Sequence, residues 1–305
     1  MRDAHIHFTG ALAASLAGIT PRSVPTDLPS FFDAYQRVKS EIRARFPTPI
    51  DMYRQGTRSI AEHASNQGIE SLDLIAGFVD DYDSSVRRFA AMLEGSQTNA
   101  TCSTLLRGCF IRQTSGYANV VDLTAVFRVM RSSAAPLTVD FCGPDRQREG
   151  RLREDLDVVG ELHRISETRF RHGLPRLSIA MHVGEDITLG PVAGLRSIEL
   201  AVNSGVNRVA HAHWLWAKPW CEVPPEAKRV RNDLLADLRT GRFRVDVCPS
   251  ASHLMSNVTG IADDFPIEGV DLGTDNPGIL QTTIAAETSL WSEWIVARSR
   301  QHEGH

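Results

Sequence analysis

The sequence predicts an α/β fold, a (β/α)8 barrel with a helical insertion after its first strand, on three observations. Eight short apolar, β-branched-rich runs recur along the 305 residues, and each precedes a longer stretch with helical spacing. From the second run onward, starts fall 27 to 40 residues apart, the length of one strand-helix-strand step. No Gly-x-Gly-x-x-Gly turn follows the first run, so nothing recommends an open dinucleotide-binding sheet. The strands are expected near 2–7, 71–78, 104–112, 137–142, 177–182, 207–211, 243–248 and 270–274, within one barrel domain spanning residues 1–305.

The gap after the first strand exceeds one crossover helix and is read as a helical lid insertion at about 13–68. Within it Leu28-Pro29-Ser30-Phe31-Phe32 opens an amphipathic helix with Ser30 as N-cap, and Pro47 and Pro49 separate it from a second helical run at 50–67. Because it follows a strand, the insertion belongs at the C-terminal face, where barrel loops cover active sites. Residues 301–305 are expected to fray.

Composition narrows the function. Hydrophobic residues make up 42% and charged residues 23%, and the net charge is −4, without the basic footprint of a nucleic-acid-binding protein. No apolar run reaches membrane-spanning length, and Met1-Arg2-Asp3-Ala4-His5 lacks a secretory core. The expectation is a soluble cytoplasmic protein with a small-molecule partner, no nucleic acid and no membrane; its oligomeric state is not legible. The five cysteines, Cys102, Cys109, Cys142, Cys221 and Cys248, are scattered and odd in number, and are read as reduced, mostly packed thiols.

Chemistry concentrates at strand ends. His5 and His7 are two apart on the first strand, so both side chains share one face, the barrel interior. A lone His-x-His is as readily a core histidine beside a surface one. The other positions change the balance: His182 ends the fifth strand, His211 the sixth and Asp275 the eighth, so all converge on the rim where barrel enzymes keep their catalytic groups. His5, His7, His182 and Asp275 offer three nitrogens and a carboxylate oxygen, a donor set suited to one Zn²⁺ per chain, with other divalent transition metals able to substitute.

Five segments together resemble the signature of the adenosine deaminase family of metal-dependent hydrolases. They are Asp3-Ala4-His5-Ile6-His7-Phe8-Thr9-Gly10-Ala11-Leu12, His182-Val183-Gly184-Glu185, Arg208-Val209-Ala210-His211-Ala212, Val247-Cys248-Pro249-Ser250 and Gly273-Thr274-Asp275-Asn276-Pro277. The resemblance implies zinc on His5, His7, His182 and Asp275, and attack of metal hydroxide on the amine-bearing carbon of an aminopurine nucleoside or related amino-heteroaromatic ring. It implies Glu185 as the acid that protonates the ring nitrogen, His211 as the group orienting the water, Asp275 as its proton acceptor, and Gly143 as a bare backbone against the ring. Taken alone, Glu185 would more readily cap the following helix.

The departures fall where substrate is read. Thr9 stands where the family carries an Asp implicated in contacting the sugar, and Asn276 replaces the second Asp of Asp-Asp-Pro, so an amide that also donates takes the place of a pure acceptor. Both remain candidate substrate-binding residues. Trp214, Trp216 and Trp220 cluster after His211, and either stack a planar ring or pack between loop and barrel. Two alternatives to deamination stand beside it: hydrolysis of another C–N bond, in an amide or cyclic imide, and a non-catalytic nucleoside-binding barrel.

Overall fold

The structure, a computed structural model, describes residues 1–19, 21, 23–77, 82–97, 101–113, 116–117, 137–143, 149–218 and 223–303. Eight parallel strands form the barrel: β1 (Arg2–His7), β2 (Ser71–Gly77), β3 (Ser103–Gln113), β4 (Leu137–Cys142), β5 (Ser178–Val183), β6 (Arg208–His211), β7 (Arg244–Val247) and β8 (Val270–Leu272). Each pairs with its neighbour in chain order from β1 to β8. The last returns to the first through a parallel bridge between Ile6 and Asp275, in which His7 N donates to Asp275 O (2.7 Å) and Asp275 N to His5 O (2.8 Å). The expected strands are all present.

Outer helices supply the apolar surface that covers this cylinder. They are α1 (Phe8–Ser15), α2 (Leu28–Ala44), α3 (Pro49–Asn66), α4 (Tyr82–Ser96), α5 (Glu149–Arg171), α6 (Gly190–Asn203), α7 (Pro225–Arg239), α8 (Pro249–Ser256) and α9 (Ile284–Glu303). One continuous core joins the strand residues Leu74, Phe110, Phe141, Ile179, Val209 and Val245 to helical Leu12, Ile60, Leu162, Ile198, Leu234 and Trp291. No helix among the described residues is long and apolar enough to cross a membrane.

Two sequence readings are corrected. The N-cap of α2 is Asp27 rather than Ser30: Asp27 Oδ1 accepts from Ser30 N at 2.8 Å while Ser30 Oγ accepts from Asp27 N at 3.2 Å. Ser30 is therefore the third helical residue of a capping box, with Pro29 in the first turn. Cys109 and Cys142 are joined as a disulfide, not separate thiols, because parallel pairing of β3 with β4 sets Cys109 opposite Asp140 and so brings two cysteines 33 residues apart close together. Cys102 and Cys248 are free and buried, and burial pushes both thiols up from their ordinary value. Cys221 and Trp220 lie outside the described residues, and α9 continues as far as Glu303 into the tail expected to fray.

Candidate metal centre and catalytic site

β1 slips by one residue against β2 between Asp3 and Ile6, a bulge at the position that aims His5 inward. His5 is fully buried, and its imidazole centroid lies 5.2 Å from that of His7, 4.8 Å from His182 and 5.4 Å from His211. His7 closes the strand, half-buried, with Nε2 3.2 Å from Asp275 Oδ1. One nitrogen each from His5, His182 and His211 lie within 4.8 Å of one another, and His5, His7 and Asp275 offer a second such set. The structure thus brings His5, His7, His182, His211 and Asp275 together on the rim.

The residues present fit a metal ion. His5 Nε2 and His211 Nδ1 are buried with no hydrogen-bond partner, an arrangement that costs free energy unless something else binds the nitrogen. Burial, reinforced by the charges of neighbouring imidazoles, pushes His7 and His211 well below the ordinary histidine value, so these rings are neutral and available as donors of a lone pair. Burial lifts Asp275 above its ordinary value, against the opposing pull of His5 and His182.

Beneath the imidazoles lies a layer of charge that sequence reasoning missed. Arg107 on β3, with no exposed surface, donates Nη1 to Asp246 Oδ2 (2.7 Å) and Nη2 to Asp73 Oδ2 (2.9 Å), and it approaches Asp140 Oδ2 at 3.7 Å. Asp140 Oδ1 stands 3.1 Å from His182 Nδ1, and Asp246 Oδ2 3.5 Å from His5 Nδ1. Two rings are thereby oriented with Nδ1 toward a carboxylate and Nε2 toward the rim, the carboxylate-histidine pattern of metal sites. Burial opposes ionisation of both carboxyls, but His182 and Arg107 beside Asp140, and Arg107 and Arg208 beside Asp246, hold them well below the usual range. The signal was present: Leu72-Asp73-Leu74, Val139-Asp140-Phe141 and Val245-Asp246-Val247 each set one charge inside an apolar strand.

The strand ends around this centre are held in backbone conformations that L-residues avoid. His211, Ala212 and Asp275 have φ of 67°, 47° and 58°, each costing about 1–3 kcal/mol unless the surroundings over-determine it. They do: Ala212 N donates to Val183 O (3.1 Å), His213 N to Gly184 O (2.8 Å), and the Trp216 indole N–H to His211 O. Trp216 is wholly buried and Trp214 nearly so, which settles these two as packing residues, with Trp214 lying against Gly194. His213 is buried as well, its Nδ1 3.2 Å from Glu185 O and its Nε2 3.0 Å from Ser252 Oγ, and burial pushes it down to about 4.

Glu185 is half-buried directly after Gly184, whose φ is +67°, and its carbonyl also accepts from Ser256 Oγ at 3.3 Å. The capping role open to Glu185 belongs to Asp186, whose Oδ1 accepts from Thr188 N at 2.8 Å. Gly143 follows β4 with φ +102°, a conformation suited to a residue without Cβ. Asn276 is buried beside Asp275 and donates Nδ2 to Asp275 Oδ1 at 2.8 Å, leaving its own Oδ1 without a partner. Thr9, in the first turn of α1, accepts at Oγ1 from Tyr35 OH of α2 at 3.3 Å.

No family model matches this sequence, and no curated protein matches it. Solved structures do. The chain is similar to the N6-methyl-AMP deaminase from Arabidopsis thaliana, with 15% identity over 94% of this chain and 84% of that one, at a TM-score of 0.59. It is similar to a zinc-bound amidohydrolase from Burkholderia ambifaria, with 14% identity over 94% and 78% and a TM-score of 0.60. A third similarity is to the atrazine chlorohydrolase TrzN from Arthrobacter aurescens complexed with zinc, with 12% identity over 92% and 60% and a TM-score of 0.56. At such identities the likeness establishes the shared barrel.

Proposed function

We propose that the protein is an aminohydrolase that takes one zinc ion per chain and converts an aminopurine nucleoside, or a related amino-heteroaromatic compound, to its oxo product and ammonia. The observation that carries this reading is the convergence of His5, His7, His182, His211 and Asp275 at one barrel mouth, two of the rings oriented from below by carboxylates. Fold neighbours that deaminate a purine nucleotide or hold zinc support it.

His5, His7, His182 and Asp275 would hold the metal, with His211 facing the same centre; when bound, zinc supplies a water acidified to about neutral pH. Glu185, its main chain pinned by His213 and Ser256, gives a proton to the ring nitrogen beside the amine-bearing carbon, which lets the ring accept the electrons of attack. His211, kept neutral by burial, accepts a hydrogen bond from the attacking water and fixes its direction. Asp275, whose affinity for a proton is lifted by burial, takes the proton released. Gly143 lets the ring approach the backbone, and Thr9 and Asn276 present a hydroxyl and an amide to the sugar and ring edge. The helices of the insertion, α2 foremost, cover this mouth as a lid.

The test is ammonia release from aminated purines, pyrimidines and pteridines, offered as bases, nucleosides and nucleotides, with zinc content measured on the same preparation. Glu185→Gln should abolish ammonia release and leave zinc content at the wild-type value. Full activity in Glu185→Gln, or no ammonia from any compound with zinc loaded, would show this assignment to be wrong.

A further inference from the structure

We propose that Lys39, Arg43 and Arg88, with the hydroxyls of Tyr35 and Tyr53, form a subsite for the phosphate of a phosphate monoester, so that the ring substrate enters as a nucleoside 5′-monophosphate. The inference rests on the deaminase reading for the ring and on the cationic cluster itself for the phosphate.

Three helices bring these groups together beside Thr9. From α2, Tyr35 donates to Thr9 Oγ1 (3.3 Å), and one turn further on Lys39 Nζ stands 5.8 Å from the Tyr35 ring centroid. From α3, the Tyr53 ring lies 4.8 Å from that of Phe8, the residue after metal-facing His7. From α4, Arg88 covers the Tyr53 ring at 5.0 Å and donates Nη1 to Tyr53 OH at 3.3 Å. The cluster therefore begins at the residue that follows Phe8 and extends outward along the lid.

Its electrostatics are unusual. Among the described residues none of Lys39, Arg43 and Arg88 is in an ion pair, whereas the nearby Arg54 has both Glu94 and Asp51. Partial burial and the charges of Arg43 and Arg88 push Lys39 below the ordinary lysine value. Lys39 and Arg88, each over a tyrosine ring, and Arg43, near enough to act on Lys39, repel one another with no carboxylate partner among the described residues, and a dianion relieves that repulsion with charge-assisted bonds from guanidinium, ammonium and phenol. Position 9 completes the argument. A carboxylate there would stand within hydrogen-bond reach of Tyr35 and repel a phosphate, while the Thr9 hydroxyl does not.

The test is calorimetric binding to the zinc-loaded protein of inosine, inosine 5′-monophosphate and inorganic phosphate, with Lys39→Ala, Arg88→Ala and the conservative Lys39→Arg beside wild type. The monophosphate should bind at least about tenfold more tightly than inosine, since a bond to a charged group contributes about 1.5–3 kcal/mol. Each alanine variant should cut that ratio by about tenfold, and Lys39→Arg should keep most of it. Equal affinity for inosine and its monophosphate, or alanine variants that weaken both alike, would overturn the subsite. Should neither purine bind, the deaminase reading fails, and inorganic phosphate then decides the subsite alone: binding lost in Lys39→Ala and Arg88→Ala upholds it, and no binding removes it. Circular dichroism of each variant confirms that the fold is retained.

Discussion

Asp140 accepts through one oxygen from both His182 Nδ1 and Phe141 N, so its role can be tested with a shape-conserving change. Asp140→Asn keeps a carbonyl acceptor for both donors but withdraws the negative charge that would make His182 a stronger base toward a metal. Arg107 retains Asp73 and Asp246, its closer partners, so the fold should survive with a loss of about 1–3 kcal/mol. Zinc affinity, measured by chelator competition, should fall roughly 10–100-fold; undiminished affinity would reduce Asp140 to a charge-balancing role. Residues at strand ends were legible because two rules act on the sequence directly: side chains two apart share a face, and barrel chemistry sits at C-terminal strand ends. His5, His7, His182, His211 and Asp275 follow from those rules, whereas the partners of Arg107 lie 34 and 139 positions away and nothing local pairs them. The Cys109–Cys142 link was hidden for the same reason, since only strand order brings the two together.

Elements of this barrel meet closely where its last strand rejoins its first. A Cβ on Gly273 would stand 2.5 Å from His5 Cβ and 2.6 Å from His5 O, and one on Gly278 2.4 Å from Ala14 N and 2.6 Å from Gly10 O. A Cβ on Gly10 would in turn stand 2.5 Å from Asn276 Cα, so three glycines let the loop after β8 lie directly on β1 and α1. Gly273→Ala forces β8 away from His5, at a cost of about 1–3 kcal/mol or more because backbone rather than a flexible side chain must shift. Thermal unfolding should show the loss, and zinc affinity should drop with it, because the Asp275 backbone that closes the cylinder also places its carboxylate. A stable Gly273→Ala protein with normal zinc binding would mean that closure does not position the site. The strand pattern made the elements themselves legible, since apolar runs and one-helix spacing are local properties. The α2 cap was misplaced by three residues because Asp27 and Ser30 are both good caps, and only their reciprocal hydrogen bonds show which residue stands outside the helix.

Across the whole molecule, the barrel interior is layered by chemistry: carboxylates and guanidiniums below, imidazoles above them, and the rim at the top. The lower layer balances its own charge, with Arg2, Arg107, Arg208 and Arg244 set against Asp73, Asp140, Asp246 and Asp271. The upper layer does not, because its rings lie only 4.8 to 5.7 Å apart and repel one another if protonated. A divalent cation would take lone pairs that burial leaves without a hydrogen-bond partner, as on His5 Nε2, so metal binding and folding stability would be linked. Zinc that binds the folded chain alone stabilises it by about 2.7 kcal/mol at a free concentration one hundred times its dissociation constant. Calorimetric unfolding of chelator-treated protein should therefore shift upward, on the order of several degrees, as zinc is added. The shift should begin to level off at one equivalent, as a single centre requires. Magnesium should leave the transition in place, because a nitrogen-rich set with one carboxylate suits zinc and not a hard oxygen-seeking ion. No shift with zinc would show that the imidazoles form a dry structural core and would remove the centre on which the catalytic reading stands, and equal shifts with both ions would show ion binding that does not use the nitrogen-rich set.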